Sequence, residues 1–536
     1  MLKIILEVIL GSLLYALGHP TFITLYPIPL FAPIGIFLLI KNILFLDIKK
    51  DLFLILIFCF FINIIGFYWI PQTLQTFGGL PYIVSLLFSF MFSFLVLPQV
   101  WVIYFSILLI RKYFPFKNVP PLSLLTSLII TITLLEHFTP SQFPVHAGHP
   151  WMSWSFTLGL APVFGLIIYN FLNYYIAFSL LFIFKYKNNF RFIPLGQAFI
   201  LLLACCLFVP FTFQQKTLSS PSQEDLLKVK IVQANIGNFM KVDSELGKFS
   251  SLTEVFDRYK NLSLSGESSD LIIWPETAYP HSFNSDILEN SPRSIPPLIS
   301  DVLNESNSQL LIGAYDKGKL DLSGNAFQTV YNATMLFDPK DGYKDVYHKQ
   351  QLIPFGETLP FGPFTPYLVD SIPGVSFFST GTIETTFKLK TGHRFVTPIC
   401  YEILNTNLIR AMLNSSSLNH GHVNFILNLT NDSWYGLTAE PYQHLFLSKW
   451  RAVEFQVPII RSTNSGITSL IDIDGNESTR LMPGEEKTLN LTLHLPERSP
   501  TIYQKIGLLS FFGFSILILL LNYFLDRILN PALKSS

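Results

Sequence analysis

The chain has 536 residues, half of them apolar and only 13% charged, with 51 Phe, 22 Tyr, 7 Trp and a net charge of +0. A soluble protein carries about 25% charged residues, so much of this surface faces something other than water, as in a membrane protein. Neutral balance without a long basic run offers no electrostatic footprint for nucleic acid. The acids divide the chain, because only Glu7, Asp47, Asp51 and Glu136 fall within residues 1–213 and the other 32 follow. A membrane part therefore precedes a water-soluble part.

A helix needs roughly 20 apolar residues to cross a hydrocarbon core. Seven stretches of about that size occupy the first part, Leu2 to Leu17, Pro27 to Leu46, Leu52 to Ile70, Tyr82 to Ile110, Leu122 to Phe138, Leu158 to Phe184 and Phe192 to Phe213, and an eighth runs from Ile506 to Leu525. The first begins at Lys3 but has no small-x-small cleavage site after it, so it is expected to be a retained helix. Lys41, Lys49 and Lys50, Arg111, Lys112 and Lys117, Lys185, Lys187 and Arg191, and Arg527 and Lys534 all follow even-numbered stretches. Loops 18–26, 71–81 and 137–157 contain no Lys or Arg. The positive-inside rule then places both termini in the cytoplasm and everything between spans seven and eight outside. The expected organisation is seven spans in 1–213, a linker at 214–227, an extracytoplasmic domain at 228–500, and a last span with a short tail at 501–536.

The outside domain opens on the β-branched run Lys228 to Asn235. Similar short apolar runs follow at Leu271 to Trp274, Leu310 to Ala314, Phe395 to Ile399 and Phe425 to Leu429. Helix-like stretches lie between them, at Ser251 to Leu262 and Ile295 to Asn304. That alternation predicts one α/β domain around a sheet.

Four cysteines are present, and Cys59, Cys205 and Cys206 lie in the apolar stretches. Cys400 is alone outside, directly after a predicted strand and before Tyr401 and Glu402. A buried core thiol is the ordinary reading of such a residue, but the end of an α/β strand is where sites are built. Glu276 ends the strand Ile273-Trp-Pro-Glu276, where a carboxylate could merely cap a helix. Lys349 and Glu357 bracket an apolar turn, where a surface ion pair is the default, and His348 reads as a satisfied polar residue. Together, however, a carboxylate, a lysine and a lone thiol have a mechanism. The carboxylate removes the thiol proton, the ammonium stabilises charge, and attack on a carbonyl gives a thioester.

Trp-Pro-Glu276, Lys349 with Pro-Phe-Gly-Glu357, Ile-Cys-Tyr-Glu402 and Asn-Asp-Ser-Trp434-Tyr-Gly436 resemble the carbon-nitrogen hydrolase (nitrilase) superfamily. With eight spans around the domain, the whole chain resembles the membrane-bound lipoprotein N-acyltransferase branch of that superfamily. The resemblance implies a multi-pass helical domain plus an αββα sandwich in the periplasm, tethered to a bacterial inner membrane. It implies a phospholipid acyl donor and, as acceptor, the α-amino group of the S-diacylglyceryl cysteine of an apolipoprotein, served in ping-pong fashion without cofactor or metal. Residue by residue, it makes Cys400 the nucleophile, Glu276 the general base and Lys349 the oxyanion stabiliser. Glu357 orients the lysine or the catalytic Glu, Tyr401 donates its backbone N–H, and Glu402 supports the site. Asn431 and Trp434 shape the pocket. One departure is Lys241-Val242, where relatives often carry a Trp, which bears on substrate positioning rather than chemistry.

Residues 358–378 are rich in aromatics, Pro and Gly. Phe361, Phe364, Phe377 and Phe378 either line an acyl chain's path in a mobile lid or pack into the domain's own core. His137, His146, His149, Trp151 and Trp154 are expected to form an interfacial belt, and these histidines lack Cys or carboxylate partners at metal-ligand spacing. Arg451, Glu454 and Arg461 are expected to be structural ion-pair formers. Two rivals remain: a tethered amidase or nitrilase that releases its acyl group to water, and a catalytically silent scaffold.

Overall fold

The computed structural model describes residues 1–43, 48–76, 80–96, 98–113, 121–139, 141, 143–186, 192–212, 226–317, 330–354, 356–359, 378–495 and 498–529. The chain divides into two compact units, one of residues 1–214, 453–455 and 501–536, the other of residues 215–452 and 456–500.

The first unit is helical among the described residues. Leu2–Leu17 and Leu122–Phe138 coincide with their apolar stretches. Ile167–Lys185, Ile193–Thr212 and Leu509–Leu529 are each long and apolar enough to cross a membrane. Ile48–Gly66 and Ile70–Thr76 meet that test only as a pair bent by 67°. Within the stretch read as one segment from Tyr82 to Ile110, the described residues are helical over Tyr82–Val96 and Pro98–Tyr113. Pro71, expected in a loop, instead lies in the first turn of a short helix, where its missing N–H costs nothing.

Polar contacts join these helices, as they do where apolar packing offers no preference over lipid. Lys41 Nζ lies 2.9 Å from Glu7, and Asn63 donates to the Ser89 carbonyl at 2.7 Å. Asp526, near the C-terminal end of its helix, accepts from the backbone N–H groups of Leu122 and Ser123 at 2.7 and 2.9 Å, capping a helix start some 400 residues away. Asp51, Glu136 and Asp526 are buried. The expected aromatic belt also needs correction. Trp151 is fully buried and donates to Asn173 at 2.8 Å, and Glu136 accepts from Ala147 N and approaches His146 at 3.7 Å.

The second unit holds thirteen strands among its described residues. In chain order they are β1 (Leu226–Gln233), β2 (Leu271–Trp274), β3 (Ser282–Phe283), β4 (Gln309–Lys317), β5 (Val330–Asp338), β6 (Gly342–His348), β7 (Phe387–Lys388), β8 (Arg394–Val396), β9 (Phe425–Thr430), β10 (Ile459–Thr463), β11 (Thr468–Ile471), β12 (Glu477–Leu481) and β13 (Lys487–His494). They form two sheets, ordered β13-β1-β2-β4-β5-β6 with β3 beside β4, and β12-β11-β10-β9-β8-β7. Each sheet has a parallel centre, β1-β2-β4 and β8-β9-β10, with antiparallel strands outside it. Every residue of β2, β9 and β10 is buried, the mark of strands covered on both faces.

The predicted helices are present as Phe249–Leu264 and Pro297–Ser306. Their Val255, Tyr259, Val302 and Leu303 pack on Val232, Ile272, Trp274 and Ile312, while Glu254 and Arg258 pair on the outer side. At about 25 cal/mol per Å² of apolar surface removed from water, this core holds the first sheet to its helices. The carboxyl ends of the two parallel centres meet. Asn235, after β1, donates its N–H to the Asn464 carbonyl at 2.9 Å, and Thr463 at the end of β10 donates to Gln233 at 3.2 Å. That junction is where the singled-out polar residues converge.

Candidate active site

Glu276 leaves β2 after Pro275, which ends the strand because it cannot donate to the ladder. The next residue, Thr277, has φ +48°, a left-handed backbone that turns the carboxylate inward. Cys400 follows β8 and has φ +54°, uncommon for a residue with a Cβ. It opens a short 3-10 turn, Cys400–Leu404, and is 5% exposed. Lys349 follows β6, fully buried, its backbone held by Asn332 O at 2.9 Å and Gly381 N at 2.8 Å.

Lys349 Nζ lies 2.7 Å from Glu357 Oε1 and 3.5 Å from Glu276 Oε1. Burial alone opposes charge on this ammonium, but Glu357 and Glu276 outweigh it and hold the pKa above the usual lysine value. Asn332 on β5 bridges the same two carboxylates, donating Nδ2 to Glu276 at 2.8 Å and to Glu357 at 3.2 Å. The other Glu276 oxygen accepts the Asn431 backbone N–H at 2.8 Å. The neighbouring Thr430 hydroxyl contacts Cys400 Sγ at 3.5 Å. One turn at the end of β9 thus touches both the carboxylate and the sulfur. Burial pushes the Cys400 thiol up, the Glu276 charge adds to this, and Lys349 opposes it. The resting sulfur is therefore a protonated thiol, which needs a base to become a nucleophile.

Glu402 ties the cysteine turn to the lysine loop. Its carboxylate accepts from Ile399 N at 2.7 Å, Gln350 N at 2.6 Å, Gln351 N at 2.9 Å and the Tyr347 hydroxyl at about 3 Å. Burial pushes it up to about 7, against those hydrogen bonds and Lys349. The Tyr401 side chain turns away to bond Glu440, with its ring centroid 4.4 Å from that of His444. His348 is satisfied by Asp316 at 2.7 Å and stacks on Tyr331.

Asn431 lines a water-sized cavity with Glu276, Thr277, Asn464 and Lys241. Trp434 does not line it and is 42% exposed. At the Lys241-Val242 departure, Lys241 reaches the cavity and donates to Thr277, whereas Val242 is half exposed. Phe361, Phe364 and Phe377 lie outside the described residues. Phe378 is half-buried, stacks on Tyr315 at 5.5 Å and donates its N–H to Glu357 O at 2.9 Å. Sequence reasoning missed Asn332, although a polar residue in the largely apolar run 330–337 was a signal. It also missed Thr430, which carries no separate pattern.

Asp432, Glu440 and His444 offer possible metal-ligand atoms within 4.8 Å of one another. That space already holds a cation, because Arg461 NH2 lies 2.9 Å from Asp432 Oδ2 and 3.1 Å from His444 Nδ1. The same Nδ1 also faces Asp432 Oδ1 at 3.3 Å. These residues form a buried ion-pair network rather than a metal set.

The carboxylate, ammonium and thiol all lie within residues 228–503, which match the carbon-nitrogen hydrolase family. An apolipoprotein N-acyltransferase of Bdellovibrio bacteriovorus is 30% identical over 446 residues, 80% of this chain and 77% of that one. Another, from Shewanella oneidensis, is 26% identical over 512 residues, 92% of each chain. Among solved structures, a CN-hydrolase superfamily protein of Xanthomonas campestris aligns with 17% identity and a TM-score of 0.35 over 50% of this chain and 90% of its own. The chain belongs to the carbon-nitrogen hydrolase family and, within it, to the apolipoprotein N-acyltransferases.

Proposed function

We propose that this chain takes an acyl group from a phospholipid onto Cys400 and passes it to the α-amino group of the N-terminal S-diacylglyceryl cysteine of an apolipoprotein. The observation that carries this reading is the turn at the end of β9, where Thr430 contacts the Cys400 sulfur and Asn431 N binds the Glu276 carboxylate. In the first half-reaction Glu276 accepts the thiol proton as sulfur attacks the ester carbonyl. The oxyanion forms beside Lys349 and the Tyr401 backbone N–H. Collapse breaks the ester C–O bond, and Glu276 returns the proton to the leaving lysophospholipid oxygen. In the second half-reaction the neutral amine attacks the thioester, Glu276 takes an amine proton, and sulfur leaves to be reprotonated as the thiol. Glu357 and Asn332 orient Lys349 and Glu276, and Glu402 fixes the loops that carry Cys400 and Lys349.

The setting follows from sequence: eight spans, both termini in the cytoplasm, and residues 228–500 on the periplasmic side of the inner membrane. The three long apolar helices and the bent pair support a membrane location. Lid roles for Phe361, Phe364, Phe377 and Phe378 rest on sequence alone.

The test is full-length protein in detergent micelles with phospholipid and a synthetic S-diacylglyceryl cysteinyl peptide. The peptide should gain one acyl chain as an amide, and Cys400→Ala should abolish the gain. Release of free fatty acid with an unmodified peptide would favour a tethered hydrolase instead.

A further inference from the structure

Thr430, at the end of β9, is fully buried. Its hydroxyl lies 3.5 Å from Cys400 Sγ and 3.0 Å from Asp432 Oδ1. A hydroxyl has one proton and serves one acceptor at a time. Asp432 is a firm carboxylate, because Arg461 and His444 outweigh burial and bring its pKa down to about 2. While the sulfur is a neutral thiol, the charged and closer oxygen is the better acceptor. The hydroxyl then points at Asp432 and presents a lone pair towards sulfur. Once the sulfur ionises, it becomes a competing anion for the same proton.

The same network holds the cysteine backbone. Arg461 NH1 donates to Asn428 Oδ1 at 2.8 Å, and Asn428 Nδ2 donates to the carbonyls of Pro398 at 3.0 Å and Cys400 at 3.1 Å. Arg461 thus fixes both the residue that restrains Cys400 and the carboxylate that competes for Thr430. No Cβ fits at Gly466, where it would collide with Asp432 Oδ2, so that carboxylate has little room to move.

We propose that Thr430 is a positioning residue for the thiol chemistry, its hydroxyl turning from Asp432 to Cys400 Sγ whenever the sulfur carries charge and back when it is a thiol or thioester. No proton is lost by Thr430. The thiol proton goes to Glu276, and Thr430 supplies a donor to the sulfur anion both as it attacks and as it leaves. The inference rests on the thioester reading above, since only a sulfur that cycles between neutral and anionic forms needs such a donor. Charged and titratable groups around the sulfur are Glu276, Lys349, Lys241, Asp432, Tyr401 and Tyr435. A pH profile is therefore compared between variants and not assigned to one group.

Thr430→Val keeps the β-branched shape without the hydroxyl, and Thr430→Ser keeps the hydroxyl. Full-length variants in phospholipid-detergent micelles are quenched over time from pH 5.5 to 9, and acyl-enzyme is read by intact mass. Alkylation of Cys400 by iodoacetamide over the same range is resolved from the other cysteines by peptide mass. A hydrogen bond to a charged group supports a loss on the order of tenfold or more in both rates for Thr430→Val, with both profiles moved to higher pH and both restored in Thr430→Ser. A folded Thr430→Val protein with wild-type rates and profiles would overturn the proposal. So would Thr430→Ser as slow as Thr430→Val at an unchanged melting temperature, which would mark a steric role. If the wild type forms no acyl adduct, the phospholipid reading fails, while the alkylation profiles still decide the role of Thr430.

Discussion

Lys349 Nζ sits 2.7 Å from Glu357 and 3.5 Å from Glu276, so its shorter ion pair is to the acid that the proposed mechanism does not use as base. Glu357 thereby anchors the ammonium while leaving it within 3.5 Å of Glu276.

Glu357→Gln should therefore slow acyl-enzyme formation more than its distance from sulfur suggests. Without the Glu357 charge, Lys349 shifts towards Glu276, and misplacement by about 1 Å costs on the order of 10²-fold. Stopped acylation assays with intact-mass detection would measure it. A rate within a factor of two of wild type would remove Glu357 from the positioning role.

Glu402→Gln tests the clamp between the two loops. Both carboxylate oxygens accept backbone N–H groups, Ile399 on one and Gln350 and Gln351 on the other, so an amide NH2 faces a donor in either orientation. An unsatisfied buried group costs about 1–3 kcal/mol. The variant should melt at a lower temperature and acylate poorly, as read by thermal unfolding in detergent alongside the mass assay. Unchanged melting would contradict the clamp.

Much of this was legible beforehand, for identifiable reasons. Buried strands such as Leu271–Trp274 have both faces covered, so a short apolar run located them without the need for alternation. Leu122–Phe138 is apolar with a proline just before it, and its ends agreed with the sequence reading. At the site, Glu276, Lys349 and Cys400 were singled out because each carries a charge or a thiol just after an apolar run or beside one, while Glu357 and Glu402 gained their expected roles from the family resemblance. Asn332 and Thr430 were not singled out, since what matters about them is which atoms they bridge, and that depends on two sheets meeting.

The pH dependence of folding has a component with a definite sign. Burial, with Arg461 nearby, brings the His444 pKa from 6.5 to about 4. Between those values the unfolded chain binds a proton that the folded one refuses, so stability falls as pH drops from 6.5 towards 4. Melting temperatures measured across that range should decline, and decline less steeply in His444→Gln. Equal slopes would mean that the ring is not held neutral.

Gly313 on β4 leaves no room for a side chain, because an added Cβ would meet the Pro275 carbonyl and lie 2.6 Å from Glu276 Cα. Gly313→Ala should move the turn that presents Glu276 and cut acylation by on the order of 10²-fold. Comparing acylation rates at matched folded fractions separates this from simple instability. Wild-type acylation would show that the turn tolerates the shift.

The central claim is that Cys400 carries the acyl group, and intact mass spectrometry of the full-length protein incubated with phospholipid and no acceptor tests it most directly. The account predicts a mass increase of one acyl chain that hydroxylamine removes, that added S-diacylglyceryl peptide discharges, and that is absent in Cys400→Ala. An adduct that persists in Cys400→Ala, or acylation of the peptide by that variant at the wild-type rate, would contradict it.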